Sequence, residues 1–260
     1  MKPNNWIGLA RITCLVTLGF LTDTSLLAQG RILDDHLYAG AVGTDYGDQL
    51  VWANGAAFST EAGYYQMSPS TSGQWAGYYN SEPTLAVLAA TAAFGGPVPN
   101  APALGAFIQA KIFLISGPDG GQFGFWEPDS TTPVYSLNVN ESSPLIPLSG
   151  GDENPDAGTF GVDPYGHIDG RRFSATVAGD YIVGLQLFDT SDNGLDGLPI
   201  HSPSDILYVN FRAQTAVPEP GTMALMGLGL GALWLGARQR MRASRVFANS
   251  LPSNSPRDAE

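Results

Sequence analysis

Residues 179–189 read GDYIVGLQLFD, and this stretch decides the predicted fold. From Tyr181 to Asp189 it combines aromatic and β-branched residues and follows a Gly-Asp turn, which is typical of a β-strand. Similar short runs recur between clusters of Gly, Pro, Asp and Ser, and no stretch of this region has a convincing helical period. The other predicted strands are Gln49–Ala53, Gln74–Tyr79, Thr84–Thr91, Phe107–Ser116, Gln122–Glu127, Val134–Val139, Arg172–Ala178 and Ile206–Ala213. We therefore predict an all-β domain.

The turn at Gly179 and Asp180, followed by Tyr181, resembles the start of a late strand in immunoglobulin-like sandwiches. The resemblance favours an antiparallel β-sandwich, either immunoglobulin-like or jelly-roll. A short motif, Ala-Gly-Tyr-Tyr, occurs at 62–65 and again at 76–79, which predicts a hairpin. Its aromatic rings have two interpretations, cross-strand packing or a platform on which a sugar stacks.

Composition narrows the possible functions. The single cysteine, Cys14, lies in the N-terminal leader, so we expect no disulfide and no thiolate metal site in the mature protein. Between residues 29 and 216 there are five basic and twenty acidic residues, a balance that repels nucleic acid. No phosphate-binding loop, serine nucleophile elbow or HExxH motif is present, and we expect no enzymatic activity.

The two ends of the chain have the features of targeting segments. Residues 1–28 combine basic residues with a short apolar run, which predicts a signal peptide and leaves an ectodomain at 29–216. Near the other end, an apolar run at 221–237 predicts a transmembrane helix, and we expect a polar, disordered tail at 246–260. Arginines follow the apolar run and predict a cytoplasmic C-terminus; they are Arg238, Arg240, Arg242 and Arg245.

The order of features over 217–245 resembles the PEP-CTERM sorting segment of Gram-negative bacteria. Its motif consists of Val217, Pro218, Glu219 and Pro220, followed by the span and the arginine cluster. The resemblance implies an exported protein anchored in the inner membrane by residues 221–237 and processed by an exosortase. The mature protein is then expected at the cell surface or outside the cell.

Three histidines, His36, His167 and His201, are the candidate metal ligands. His167 and His201 precede predicted strands, where loops of a sandwich cluster, and His36 leads into a candidate first strand. Asp169 lies on the same side of an extended chain as His167. Three imidazoles and a carboxylate suit Zn²⁺, so we predict one zinc site at one end of the sandwich; ordinary loop histidines are the alternative. A second stretch, 189–197, has oxygen ligands and glycines like a calcium loop, but it lacks EF-hand spacing, so an ordinary turn is the alternative.

The segments around residues 123–127, 163–173 and 181–211 resemble PEP-CTERM surface proteins controlled by the zinc-uptake repressor (Zur). In that family's pattern, His167 and His201 match histidines, whereas Asp169 replaces one. The resemblance implies a zinc-responsive envelope protein. The alternative function is a structural or adhesive protein of the extracellular matrix, associated with exopolysaccharide, and a carbohydrate-binding module is a further alternative.

Overall fold

The structure is a computed structural model that describes residues 30–33, 36–92 and 99–214. The predicted signal peptide, the sorting segment with its transmembrane helix and the polar tail lie outside these residues. Within the described ranges, no helix is both long enough and apolar enough to cross a membrane.

The described residues form thirteen β-strands, and short 3₁₀ turns lie at Gly55–Ala57 and Leu195–Gly197. The strands are β1 (His36–Ala41), β2 (Leu50–Trp52), β3 (Tyr65–Pro69), β4 (Tyr79–Ser81), β5 (Thr84–Val87), β6 (Ile108–Ser116), β7 (Phe123–Trp126), β8 (Tyr135–Leu137), β9 (Ile146–Pro147), β10 (Gly166–His167), β11 (Arg172–Ala175), β12 (Gly179–Asp189) and β13 (Leu207–Ala213). The predicted all-β fold class is confirmed.

The strands assemble into two sheets. The smaller sheet has the order β10-β5-β1-β2, and the larger has the order β8-β7-β11-β4-β3-β13-β12-β6-β9. Neighbouring strands are antiparallel except for β1 beside β5 and β3 beside β13, which are parallel. Both exceptions join strands that are distant in the chain, as parallel pairing requires a crossover connection. The sheets are therefore mixed, and neither the immunoglobulin-like nor the jelly-roll form of the prediction is established.

The buried core is one cluster that includes side chains from both sheets. In β6, Ile108, Ala110, Ile112 and Leu114 are buried, and the intervening side chains are more exposed. Because successive side chains on a strand point to opposite faces, the other face of the larger sheet is turned away from the core. The indole of Trp52 joins the two sheets by donating a hydrogen bond to the Leu185 carbonyl at 3.1 Å.

Tyr181 closes the turn that precedes β12. Its hydroxyl donates to the Val177 carbonyl at 2.8 Å and accepts from the Val177 amide at 3.3 Å. This is the arrangement expected of a tyrosine corner. Burial raises the pKa of the Tyr181 hydroxyl, because the charged phenolate is less well solvated there.

Several predicted elements differ from the structure. Residues 74–78 form a loop rather than the first part of a strand, and the hairpin joins β3 to β4 through residues 70–78. Gly73 and Gly77 in this loop adopt positive φ angles of 73° and 89°, which interrupt an extended strand. The sequence patterns also did not predict the short strands β9 and β10.

Candidate functional site

The smaller sheet brings two of the three histidines together. β1 and β10 lie on opposite sides of β5, with His36 paired to Thr84 and His167 paired to Ala86. The two histidines therefore belong to the same outer face of this sheet, separated by one strand. Because Ala86 has only a methyl group, the two longer side chains can meet above β5.

The two imidazoles face each other through their Nε2 atoms, which are 3.1 Å apart. The rings are nearly parallel, with an interplanar angle of 10° and centroids 5.3 Å apart. The Tyr38 ring also stacks with His36, at a centroid distance of 6.0 Å. Asn54 holds the start of β1 in place, because its amide donates to the His36 carbonyl and its oxygen accepts from the Tyr38 amide.

Two carboxylates lie on the opposite side of the His167 ring, near Nδ1. Asp169 Oδ1 is 3.6 Å and Glu153 Oε1 is 3.9 Å from this nitrogen. The loop that carries Glu153 approaches closely because Gly151 has no side chain, and a Cβ there would lie 2.8 Å from the His167 carbonyl oxygen. Burial raises the pKa of the Tyr165 hydroxyl, and the nearby Glu153 carboxylate raises it further. The carboxylates of Asp169 and Glu153 therefore place negative charge beside the histidine pair.

His201 lies elsewhere and does not converge with the other two histidines. His201 is next to Ser202, which forms a bridge with Gln49 at the β2 edge of the smaller sheet. His167 belongs to β10, the strand at the opposite edge of that sheet. Three interstrand steps separate these edges, about 14 Å along the sheet. His201 is 2% exposed; its Nε2 accepts from the Ala103 amide at 2.9 Å, and its Nδ1 lies 3.1 Å from the Asp48 carbonyl. The His201 ring therefore connects two loops inside the protein. This position does not agree with the predicted zinc site, in which all three imidazoles converge.

Asp189, in the stretch interpreted as a possible calcium loop, is an acceptor for backbone amides. The carboxylate is 6% exposed. Its Oδ1 accepts from Phe107 and Ser191, both at 2.9 Å, and its Oδ2 accepts from Ile200 at 2.9 Å and His201 at 3.1 Å. Asp189 therefore organises the loops around His201.

Asp163, four residues before His167, has a comparable role. Its carboxylate accepts from the amides of Ala90, Thr91 and Tyr165 and from the Thr91 hydroxyl, at 2.7 to 3.0 Å. Asp163 and Asp189 show that two of the buried carboxylates serve the backbone of neighbouring loops. No short-range pattern identifies such partners, because most of them come from distant parts of the chain.

Among the described residues, no group of three or more His, Cys, Asp or Glu side chains is arranged to hold a metal ion. The structure does place a two-histidine centre on the outer face of the smaller sheet. Sequence analysis did not identify Glu153, Tyr38 or Tyr165 as its neighbours. A signal was available for Glu153 only in the acidic composition of the loop at 152–156.

The Nε2–Nε2 separation permits two chemical states. In the first, one neutral ring donates a hydrogen bond to the other. In the second, both nitrogens bind one ion, since ligands at 2.0–2.1 Å from tetrahedral Zn²⁺ lie about 3.3 Å apart. Asp169 Oδ1 lies 3.6 Å from Nδ1 of His167, a position that suits an acceptor for an Nδ1 proton; its role as a direct metal ligand stays a prediction.

These features define an all-β domain with a histidine pair on an outer sheet face. Comparison with protein families identifies a sorting signal: residues 216–240 match the model of the PEP-CTERM protein-sorting motif. Such a motif implies a secreted protein that is first anchored in the membrane, processed by an exosortase and then exposed at the cell surface. The matched region includes the predicted Pro-Glu-Pro motif and ends at Arg240, so Arg242 and Arg245 lie beyond it.

No curated protein and no solved structure is similar enough to the chain to count as a match. The family match covers the sorting segment alone. The resemblance of the ectodomain to zinc-responsive, Zur-controlled proteins therefore has no support from these comparisons.

Proposed function

We propose that this exosortase-processed surface protein binds zinc in the cell envelope through His36 and His167. The observation that carries the proposal is the 3.1 Å separation of their Nε2 atoms, which is close to the ligand separation in a tetrahedral zinc site. Two imidazoles would supply two of the four ligands, and water or a ligand from another molecule would complete the coordination. Such an incomplete site suits reversible uptake and transfer better than permanent structural binding.

The surroundings support a cation at this position. Asp169 and Glu153 lie beside the His167 ring, and their side chains are 84% and 44% exposed. Carboxylates behind metal-binding histidines orient the imidazole and increase its basicity. Imidazole also binds copper and nickel, so zinc is identified by competition among the metals and not by the ligands alone.

Zinc binding can be tested by calorimetric titration of the purified full-length chain in detergent. We expect His36→Ala and His167→Ala each to weaken binding by roughly 100-fold or more, since losing an outer-shell partner already costs roughly 10–100-fold. Asp169→Asn should weaken it roughly tenfold for the same reason. Affinity should fall as the pH is lowered, because protonated imidazole cannot bind the metal.

The matched control for this titration is Asp192→Ala, which removes an exposed carboxylate from the calcium-like stretch. It should leave zinc affinity unchanged. Equal zinc binding by the wild type and the His36→Ala/His167→Ala double variant would refute the proposal and leave a hydrogen-bonded histidine pair.

Processing can be tested separately in the source cells. We expect replacement of residues 217–220 by four alanines to prevent cleavage, so that the full-length form accumulates in the membrane fraction. Deletion of residues 246–260, which lie beyond the matched motif, is the control and should leave processing intact. Mass spectrometry of membrane and extracellular fractions measures both; equal processing of the two variants would contradict this assignment.

A further inference from the structure

The larger sheet has a polar strip on the face turned away from the core. Its members are Tyr64, Gln66, Trp75, Asn80, Arg172 and Arg212, which we call the outer strip. They belong to, or are attached to, the adjacent strands β11, β4, β3 and β13. Three interstrand steps make the outer strip about 14 Å long. This length corresponds to an extended ligand lying across the strands.

Each end of the outer strip carries an aromatic ring packed against a guanidinium group. Arg172 lies 4.0 Å from the ring centroid of Trp75, and Arg212 lies 4.0 Å from that of Tyr64. All four side chains retain partial exposure. Contact with a cation holds each ring in one orientation, which reduces the entropy lost when a ligand stacks on its exposed part.

Carboxylates neutralise both arginines. Arg172 forms an ion pair with Glu82 at 2.6 Å, and Arg212 forms one with Asp180 at 2.7 Å. Arg172 also donates to the Asn80 side chain at 3.0 Å. The outer strip with these partners is therefore polar without net charge. It lies in a region, 29–216, that has twenty acidic and only five basic residues.

Two donors in the outer strip lack a hydrogen-bond partner within the described part of the chain. They are Nε1 of Trp75 and Nε of Arg172, and both atoms are buried. A buried donor left unpaired costs about 1–3 kcal/mol, so packing alone does not explain this pair. Both belong to the stack that the 70–78 loop forms over β11.

We infer that the outer strip binds an extended neutral polysaccharide. A sugar ring combines an apolar C–H face, which stacks on Trp75 and Tyr64, with hydroxyl groups that pair with amides, guanidinium groups and carboxylates. The acidic surroundings disfavour a polyanionic chain. A β-strand partner is also a poor fit, because strand addition uses a sheet edge and the outer strip lies on a face.

The test is affinity electrophoresis of the full-length chain in mild detergent. Separate gels contain hydroxyethyl cellulose, galactomannan, laminarin or anionic polygalacturonate. We expect at least one of the three neutral polymers to slow migration, and Trp75→Ala and Tyr64→Ala each to raise the dissociation constant by about fivefold, as expected for one aromatic stack. A chelator should have no effect, since the histidine pair belongs to the other sheet; zinc binding and polysaccharide binding thus fail independently.

The control variant is Tyr46→Ala, which removes a tyrosine that is 50% exposed in the loop between β1 and β2. It should migrate like the wild type in every gel. Unfolding midpoints of Trp75→Ala and Tyr64→Ala are measured in parallel to show that both remain folded. If Trp75→Ala unfolds, Tyr64→Ala and Trp75→Phe provide the same comparison.

Three results would overturn the inference. They are no retardation by any neutral polymer, retardation by polygalacturonate alone, and equal retardation of the wild type and the Trp75→Ala/Tyr64→Ala double variant. Concentration-dependent migration in a polymer-free gel, lost in Trp75→Ala, would instead identify the outer strip as an interface between copies of the chain.

Discussion

Replacing Asp189 with alanine is expected to lower the free energy of unfolding by about 4 kcal/mol or more, because several buried amides lose their acceptor together. The carboxylate accepts from four backbone amides, of Phe107, Ser191, Ile200 and His201. At 6% exposure, the site gives water little access to replace it. Urea unfolding followed by tryptophan fluorescence measures the loss.

Asp189→Asn refines this experiment. The amide keeps one acceptor oxygen but turns its NH₂ group toward two of the donors, so we expect a loss of about 2–3 kcal/mol. Asp192→Ala is the matched control, because Asp192 is an exposed carboxylate three residues away, and its effect should stay within about 0.5 kcal/mol. A loss below about 1 kcal/mol for Asp189→Ala would show that the amides find other partners.

The second large effect is expected at Phe123 in β7. Phe123→Ala should lower the free energy of unfolding by about 3–5 kcal/mol, through lost apolar burial and the cavity left behind. The ring is 1% exposed and contacts three aromatic rings, with centroids 5.1 Å away at Phe211, 5.5 Å at Phe173 and 6.1 Å at Tyr181. These contacts connect β7 with β11, β12 and β13.

Phe160 offers a control of the same chemistry. It is 77% exposed, so Phe160→Ala should change the free energy of unfolding by no more than about 0.5 kcal/mol. The same urea titration measures both variants. Similar values for the two substitutions would mean that the aromatic cluster around Phe123 is not a stabilising core.

Much of the fold was predictable from local patterns. The predicted segments Phe107–Ser116, Tyr181–Asp189 and Ile206–Ala213 correspond closely to β6, β12 and β13. Their alternating apolar residues favour a half-buried strand whatever its neighbours are. Short strands such as β10 behave differently, since Gly166–His167 is extended only through its pairing with β5. No local signal in two residues can indicate such a pairing.

The candidate site shows the same division. The sequence identified His36, His167 and His201 as the residues to consider, because they are the only histidines. The order of the strands decided that His36 and His167 form a pair on the sheet face and that His201 is buried elsewhere. β10 and β1 flank β5, whereas the edge near His201 lies beyond β1.

The sorting signal at residues 216–240 can be identified from the sequence alone, because it is a contiguous motif whose recognition does not depend on tertiary structure. The all-β class follows in the same way from two-residue periodicity and turn residues. Tertiary structure was needed for the partners of Asp189, the facing imidazoles and the outer strip. Each of these joins residues that are far apart in the chain, and only the pairing of strands into sheets brings such residues within contact distance.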